Sequence, residues 1–249
     1  GSINTGNLLS AANSGSGSTE DGGNITLTAG GNISTEFLNS TSDEGDGGAI
    51  AITAGSNFTT LGLFLRSIEG NGGAIAITAG SNIISTGYLS SYSSKGNGGA
   101  ISVTAGDNFT GLGLESFSYG EGNGGAISVT ADGNITLQVD RSANSSSYGR
   151  GNGGAIILTA SGNITANDFD SSSFGTGNGG AITLTASGDV TTGNLNTYSL
   201  GGNGGAVSIN STNGRIVLQK GRYFQSLINT SGVNGGNVTL SSPNANFVF

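Results

Sequence analysis

The chain of 249 residues contains no cysteine, histidine, methionine or tryptophan, and it has a single proline. Without cysteine there is no disulfide framework and no thiol chemistry, and without histidine no imidazole can activate a nucleophile. Seven Lys and Arg residues stand against fifteen Asp and Glu residues, which gives a net charge of −8. That sign is wrong for neutralising phosphate groups, so we expect no nucleic-acid partner.

Long apolar runs are missing as well. None approaches the ~20 residues that a membrane-spanning helix needs, so we expect no membrane insertion. The first residues do not have the charged and apolar pattern of a signal peptide, so we expect none within the printed sequence. Because the chain has no methionine, we expect it to be a processed chain or a stretch of a longer shaft.

Glycine is abundant, with 49 residues, but it lacks the three-residue period of collagen. It recurs instead as nine Gly-Gly pairs, each followed by one small residue and an alternating apolar strand, at intervals of 25 to 31 residues. The second glycines of the pairs are Gly23, Gly48, Gly73, Gly99, Gly125, Gly154, Gly180, Gly205 and Gly236. A nearly fixed period of this size predicts a solenoid whose neighbouring turns form the core.

Two apolar columns follow each pair, two and four residues after the second glycine. The first column is Ile25, Ile50, Ile75, Ile101, Ile127, Ile156, Ile182, Val207 and Val238. The second column is Leu27, Ile52, Ile77, Val103, Val129, Leu158, Leu184, Ile209 and Leu240. Apolar residues at a spacing of two predict a strand with one buried face.

Two further inward columns are predicted later in each period. A second strand is expected to bury Ile33, Phe58, Ile83, Phe109, Ile135, Ile164 and Val190. The column after it holds Leu38, Leu63, Leu114, Val139, Phe169 and Leu195. The third side is rich in Ser and is expected to be the least regular, with insertions near 141–147 and 222–231. Glycine is expected at the corners for a positive φ and for close packing.

These patterns predict an all-β chain folded as a right-handed parallel β-helix, with three strands per turn and about nine turns of 25–31 residues. One domain is expected over 1–249, with a partial turn at 1–20, repeated turns over 21–243 and the start of a further turn at 244–249. At ~4.8 Å per turn the rod would be ~40–45 Å long.

Asparagine provides two more columns at fixed places in the repeat. The first column comprises Asn71, Asn97, Asn123, Asn152, Asn178 and Asn203, preceded by Asp21 and Asp46 and followed by Asn234. The second comprises Asn57, Asn82, Asn108, Asn134 and Asn163, with Asn32 before them and Asp189 after them. Carboxamides stacked at strand spacing can hydrogen-bond along the stack, so both columns are predicted to be structural ladders.

The repeated phrase Gly-Asn-Gly-Gly-Ala-Ile-x-x-Thr-Ala-x-x-Asn-Ile, as in Gly70–Ile83 and Gly177–Val190, resembles the repeat region of filamentous-haemagglutinin-like exoproteins. These are large bacterial, often cyanobacterial, surface proteins exported by two-partner secretion. The resemblance covers essentially the whole chain and implies export, adhesion or surface structure. The Asn-Pro-Asn motifs of the family's secretion domain are missing. By this resemblance the chain is expected to be part of the shaft and not the end that the transporter recognises.

Catalytic and metal sites are not expected. The best carboxylate cluster is Asp140, Arg141, Asp168 and Asp170, placed near the end of the second strand and interpreted as solvated loop charge beside an insertion. A polysaccharide-active enzyme is the alternative, because acid–base catalysis uses paired carboxylates. Asp21 and Asp46 are expected to face water, with a shared cation as the alternative. No cofactor is expected.

The outward face of the first strand carries a Thr column, which is the possible binding face. It consists of Thr28, Thr53, Thr78, Thr104, Thr130, Thr159 and Thr185. The simplest interpretation is that small side chains suit a tight sheet. The alternatives are lateral packing against another rod and binding of an ordered lattice such as ice or of carbohydrate.

The sequence therefore predicts a secreted, non-enzymatic structural or adhesive shaft at the surface of a bacterium. The chain opens and closes at nearly the same phase of the coil, so end-to-end stacking of copies into a filament is an alternative. Other copies of the chain, carbohydrate and a host surface are the partners considered.

Overall fold

The computed structural model describes residues 1–12, 20–139, 141–220, 227–243 and 247–248. Every regular element in these ranges is a β-strand, and none is a helix. The pairings are parallel throughout these ranges, and they stack successive periods into a β-solenoid. The prediction of an all-β parallel β-helix is confirmed, and the hand of the coil stays a prediction.

Each turn contains three strands. The first strands are β3 (Ile25–Ala29), β6 (Ile50–Ala54), β9 (Ile75–Ala79), β11 (Ile101–Ala105), β13 (Ile127–Ala131), β16 (Ile156–Ala160), β19 (Ile182–Ala186), β22 (Val207–Ser211) and β25 (Val238–Ser241). The second strands are β1 (Ile3–Thr5), β4 (Ile33–Thr35), β7 (Phe58–Thr60), β14 (Ile135–Leu137), β17 (Ile164–Thr165), β20 (Val190–Thr192), β23 (Ile216–Leu218) and β26 (Phe247–Val248). The third strands are β2 (Leu8–Ala12), β5 (Phe37–Ser42), β8 (Gly62–Ser67), β15 (Arg141–Asn144), β18 (Asp168–Asp170), β21 (Leu195–Asn196) and β24 (Ile228–Asn229). In β10 (Ile83–Ser93) and β12 (Phe109–Glu115) the second and third strands are continuous.

The first strands form one nine-stranded sheet in strict register. Ile101, for example, lies between Ile75 and Ile127. Nine first strands are separated by eight steps, so the coil makes about eight turns. The prediction of about nine turns had counted the strands and not the steps between them. The second and third strands belong to one 17-stranded sheet, because β10 and β12 run through the bend between the two sides.

The apolar core follows the predicted columns. Ile50, Phe58 and Leu63, one from each strand of a turn, have exposures of 0%. The columns loosen at the two ends, where Leu27 and Leu240 are partly buried and Val238 is 48% exposed.

One column was predicted wrongly. The residue aligned with Leu114 is Ala143 and not Val139, because the extra residues of that turn lie between Leu137 and Ala143, before the place predicted for them. The same column also includes Leu89, which the sequence analysis missed. Of the second predicted insertion, residues 222–226 lie outside the described ranges.

Candidate functional site

The Asn column before each Gly-Gly pair forms a continuous hydrogen-bonded ladder. The Oδ1 atom of Asn71 accepts the backbone N–H of Asn97 at 3.0 Å and its carboxamide Nδ2 at 2.8 Å. The backbone N–H of Gly72 donates to the carbonyl oxygen of Asn97 at 2.8 Å, so each corner is tied in both directions. The contact repeats to Asn123, Asn152, Asn178 and Asn203.

The second Asn column follows the same rule on the other side of the first strand. The Oδ1 atom of Asn82 accepts the backbone N–H of Asn108 at 3.2 Å and its Nδ2 at 3.1 Å. Equivalent bonds join Asn32, Asn57, Asn82, Asn108, Asn134, Asn163 and Asp189. Both columns are therefore ladders, as predicted.

Buried serines form a further regular set that the sequence analysis missed. On the third side, Ser91 and Ser93 point inward with exposures of 0%. Their hydroxyls donate to the carbonyl oxygens of Gly73 and Gly70, each at 2.5 Å. The first position recurs as Ser40, Ser91, Ser116, Ser145 and Ser171, and the second as Ser42, Ser67, Ser93, Ser118, Ser147, Ser173 and Ser199.

These hydroxyls satisfy carbonyl groups of the glycine corner, which would otherwise be buried without partners. The signal for them was present in the sequence as Ser-x-Ser, the period of two that marks one face of a strand. Serines thus line part of the interior of the third side, next to the apolar Leu63 column. Register shifts between Ser85 and Tyr88 and between Arg141 and Ala143 also fall on this side, in agreement with the expectation that it is the least regular one. In the turn before Ser91, the equivalent position is occupied by Leu65, an apolar side chain that is equally buried.

The paired glycines are required for close packing. A Cβ atom on Gly125 would overlap the Ser116 hydroxyl and the carbonyl oxygens of Gly98 and Gly99. The expectation of a positive φ is wrong for these corners, since among the described glycines Gly62 alone has one, at 155°. Contact between turns, and not backbone strain, selects glycine there.

The Thr column lies in register on the outer surface of the first-strand sheet. Neighbouring members face each other directly, as Thr78 and Thr104 do. Thr28, Thr53, Thr78, Thr104, Thr130 and Thr159 are exposed, and Thr185 is half-buried. The column is therefore an accessible, uncharged surface; whether it binds anything stays a prediction.

The carboxylate cluster is not solvated loop charge, because Asp168 is 0% and Asp170 1% exposed. Both lie on the third strand, not on the second. Asp168 Oδ1 accepts the backbone N–H of Asn194 at 2.8 Å. Asp170 Oδ1 accepts the hydroxyl of Ser172 at 2.5 Å.

Arg141 lies against this cluster, opposite Asp168 in the sheet register, with Nη2 4.0 Å from Asp170 Oδ2. Burial raises the pKa of Asp170, against hydrogen bonds from Ser172 and the charge of Arg141. Asp168 and Asp170 both accept hydrogen bonds from the next turn, from Asn194 and Asn196. Asp140, the fourth residue predicted for this cluster, lies outside the described residues.

The other charged candidates belong to the ladders or to exposed pairs. Asp21 Oδ1 accepts the backbone N–H of Asp46 at 2.8 Å, so these two carboxylates begin the first ladder. In the described ranges no three His, Cys, Asp or Glu side chains form a group that could hold a metal ion. Lys95 pairs with Glu69 at 2.6 Å along the coil edge.

An aromatic row, also missed as a unit, covers the outer surface of the third side. Tyr92 stacks on Phe117 with ring centroids 5.2 Å apart, and Tyr148 stacks on Phe174 at 5.2 Å. Tyr119 lies between the two pairs and contacts both. Stacked and edge-to-face contacts alternate along the row, as between Phe117 and Tyr119, whose planes lie at 79°.

A groove opens on the same surface, towards the N-terminal turns. It has a volume of about 480 Å³. Its lining consists of Leu9, Asn39, Thr41, Asp43, Phe64, Arg66 and Tyr92. Of the concave sites in the described residues, this one combines aromatic rings with both a cation and a carboxylate, and we call it the third-strand groove.

Comparisons with protein-family models, with curated proteins and with solved structures find no match to this chain. Within the described ranges, no helix has the length and apolarity that crossing a bilayer requires.

Proposed function

We propose that the chain is a stiff, non-catalytic shaft of a secreted bacterial surface exoprotein. One observation carries the proposal: neighbouring turns are joined by the same in-register pairing from β3 to β25, with the two Asn ladders on either side of the first strand. A solenoid of this kind transmits load from turn to turn, because each repeat contacts only its neighbours.

The three sides give the rod resistance to bending. Deflection in any direction must stretch the inter-turn hydrogen bonds of at least one side, and these bonds run parallel to the rod axis. The ladders add side-chain hydrogen bonds at the corners, beside backbone bonds such as the one from the Gly72 N–H to the Asn97 carbonyl oxygen. The repeat's resemblance to haemagglutinin-like exoproteins supports placing such a rod outside the cell.

Removing one whole turn tests the mechanical part. Deletion of residues 101–126 joins Ala100 to Ile127, so that β13 takes the place of β11 opposite Ile75. Small-angle scattering should then show a rod shorter by ~4.8 Å, one strand spacing, with unchanged cross-section. A compact particle, or a length that does not respond to the deletion, contradicts the shaft.

Antibody labelling of intact cells tests the location. Label on unpermeabilised cells supports a surface shaft, and label that requires permeabilisation contradicts it. Deleting one turn or duplicating it should leave the surface label unchanged while altering the distance of a C-terminal epitope from the cell.

A further inference from the structure

The third-strand groove has polar groups that the protein leaves without hydrogen bonds. Arg66 Nη2 lies 3.8 Å from Asp43 Oδ1, which is too long for a hydrogen bond. Two other ion pairs of the coil are closed: Lys95 with Glu69 at 2.6 Å and Arg215 Nη2 with Asp189 Oδ2 at 3.1 Å. Asn39 Oδ1 and Arg66 Nε are buried and have no hydrogen-bond partner, a costly arrangement for polar atoms.

The accessible ends of the open pair offer complementary chemistry. Both side chains are 43% exposed. A guanidinium group donates only and a carboxylate accepts only. A hydroxyl group can do both, so one or two hydroxyls placed between Arg66 and Asp43 would bond to each.

Aromatic rings supply the apolar part of the groove. Tyr92 is the register partner of Arg66 on the next turn. Its ring stacks on Phe117, a further turn on, and Tyr92 lines the groove together with Arg66. Phe64 lies one turn before Ser90 on the same side of the coil, with its ring tilted against Phe37 at 5.9 Å.

We propose that the third-strand groove binds a neutral polysaccharide. A pyranose ring has hydroxyls at its rim and C–H groups on its faces, which match the open Arg66–Asp43 pair and the aromatic rings of Phe64 and Tyr92 that line the groove. Charge argues against an acidic glycan, since Arg66 is balanced by Asp43 and the whole chain carries −8. The lining residues come from four neighbouring strands, a span of ~14 Å, which suits a run of sugar rings better than a single one.

The chain offers a matched control for this site. Arg150 and Glu121 form a similarly open pair, with Nε 3.6 Å from Oε2, but their side chains are 75% and 74% exposed. They lie outside the residues that line the groove. A loss of binding specific to Arg66 therefore reports the groove and not the removal of a positive charge.

The experiment titrates the protein with cellohexaose, mannohexaose and galactohexaose as neutral probes and with polygalacturonate as the acidic one. Tyrosine fluorescence and the ¹H–¹⁵N signal of the Arg66 side chain report binding. We expect saturable binding of at least one neutral probe, a loss of affinity of about tenfold or more in Arg66→Gln and in Tyr92→Leu, and no change in Arg150→Gln. Circular dichroism of each variant checks that the coil is intact.

Three results would overturn the proposal. They are the absence of saturable binding of every neutral probe up to about 1 mM, equal affinity in wild type and both groove variants, and tighter binding of polygalacturonate than of any neutral probe. None of them bears on the shaft, whose length and location are measured separately.

Discussion

The Oδ1 atom of Asn97 accepts two hydrogen bonds from Asn123, one from the backbone N–H at 2.8 Å and one from the carboxamide Nδ2 at 3.1 Å. Asn97 in turn donates both of its own groups to Asn71. An interior position of the ladder must therefore donate on one side and accept on the other. A carboxylate can only accept, so Asp21 fits at the first position, whereas Asp46 at the second position donates to Asp21 through its backbone N–H alone.

This polarity predicts opposite effects for exchanges between Asn and Asp. In Asn97→Asp the side-chain donation to Asn71 is lost and two acceptor oxygens face each other, so we expect a loss of about 1–2 kcal/mol of stability at neutral pH. Asp46→Asn should stabilise the coil, since it gains a donor towards Asp21 and removes a like charge. Urea midpoints, with hydrogen exchange of the adjacent amides, measure both. Effects of the same sign would contradict a polar ladder.

The glycine pairs predict a second contrast between equivalent positions. A Cβ atom on Gly124 would overlap the carbonyl group of Ser145, whereas on Gly235 it would find nothing nearer than the Thr230 oxygen at 3.8 Å. Gly124→Ala should cost about 2–3 kcal/mol through overpacking. Gly235→Ala should change stability by no more than about 0.5 kcal/mol. Thermal midpoints of the two variants decide, and equal losses would show that backbone conformation selects glycine after all.

Much of the fold was predictable because it repeats. The columns headed by Ile25 and Asn32 recur at a fixed phase, so a single chain supplies many independent observations of each position. The same averaging obscured what does not repeat. Phe64 and Arg66 lie together on β8 and Tyr92 lies on the next turn, and each has different residue types on the neighbouring turns, so the third-strand groove had no period to reveal it.

Two residues, Val139 and Asp170, lie elsewhere than the sequence predicted, and both differences have physical causes. The extra residues before Ala143 shift the register of one turn, and Val139 was placed in the core because its apolar character fitted the column. Asp170 was expected in solvent because it is charged. Its burial is possible because Ser172, two residues further along the same turn, bonds to its side chain and Arg141, on the preceding turn, lies near its second oxygen.

Two aspartates should give stability a pH dependence of opposite sign. Burial raises the pKa of Asp170 above its ordinary 3.8. The folded chain then binds this proton more tightly than the unfolded chain, so stability falls as the pH rises from 3.8 through the raised value. Asp170→Asn should be more stable than wild type at pH 7, with the difference vanishing in acid. Its Oδ1 can still accept from Ser172.

Asp189 provides the opposite case to Asp170, because its pKa is lowered. Hydrogen bonds from the backbone and side chain of Arg215 lower the pKa of Asp189 below 3.8. Its contribution to stability is present above that value and is lost as the pH falls through the lowered one. Asp189→Asn should therefore be less stable than wild type at pH 7 and equal to it in acid. Urea unfolding between pH 2 and 8 compares the two variants, and curves of the same sign would contradict the assignment.

Substitutions in the Thr column can test whether its side chains are needed for folding or for binding. Thr78 and Thr104 are exposed and point away from the core, and tyrosine is well suited to a sheet surface. The double replacement Thr78→Tyr and Thr104→Tyr should therefore shift stability by less than about 0.5 kcal/mol. Thr192→Tyr is the control, because Thr192 is 0% exposed and its hydroxyl bonds to the Asn167 carbonyl at 3.1 Å; overpacking should cost about 1–3 kcal/mol there.

If the wild-type rod depresses the freezing point of water or pairs side by side in sedimentation, the double variant must lose that property while keeping its unfolding midpoint. Retention of either property by the double variant would show that the Thr column is not the surface responsible.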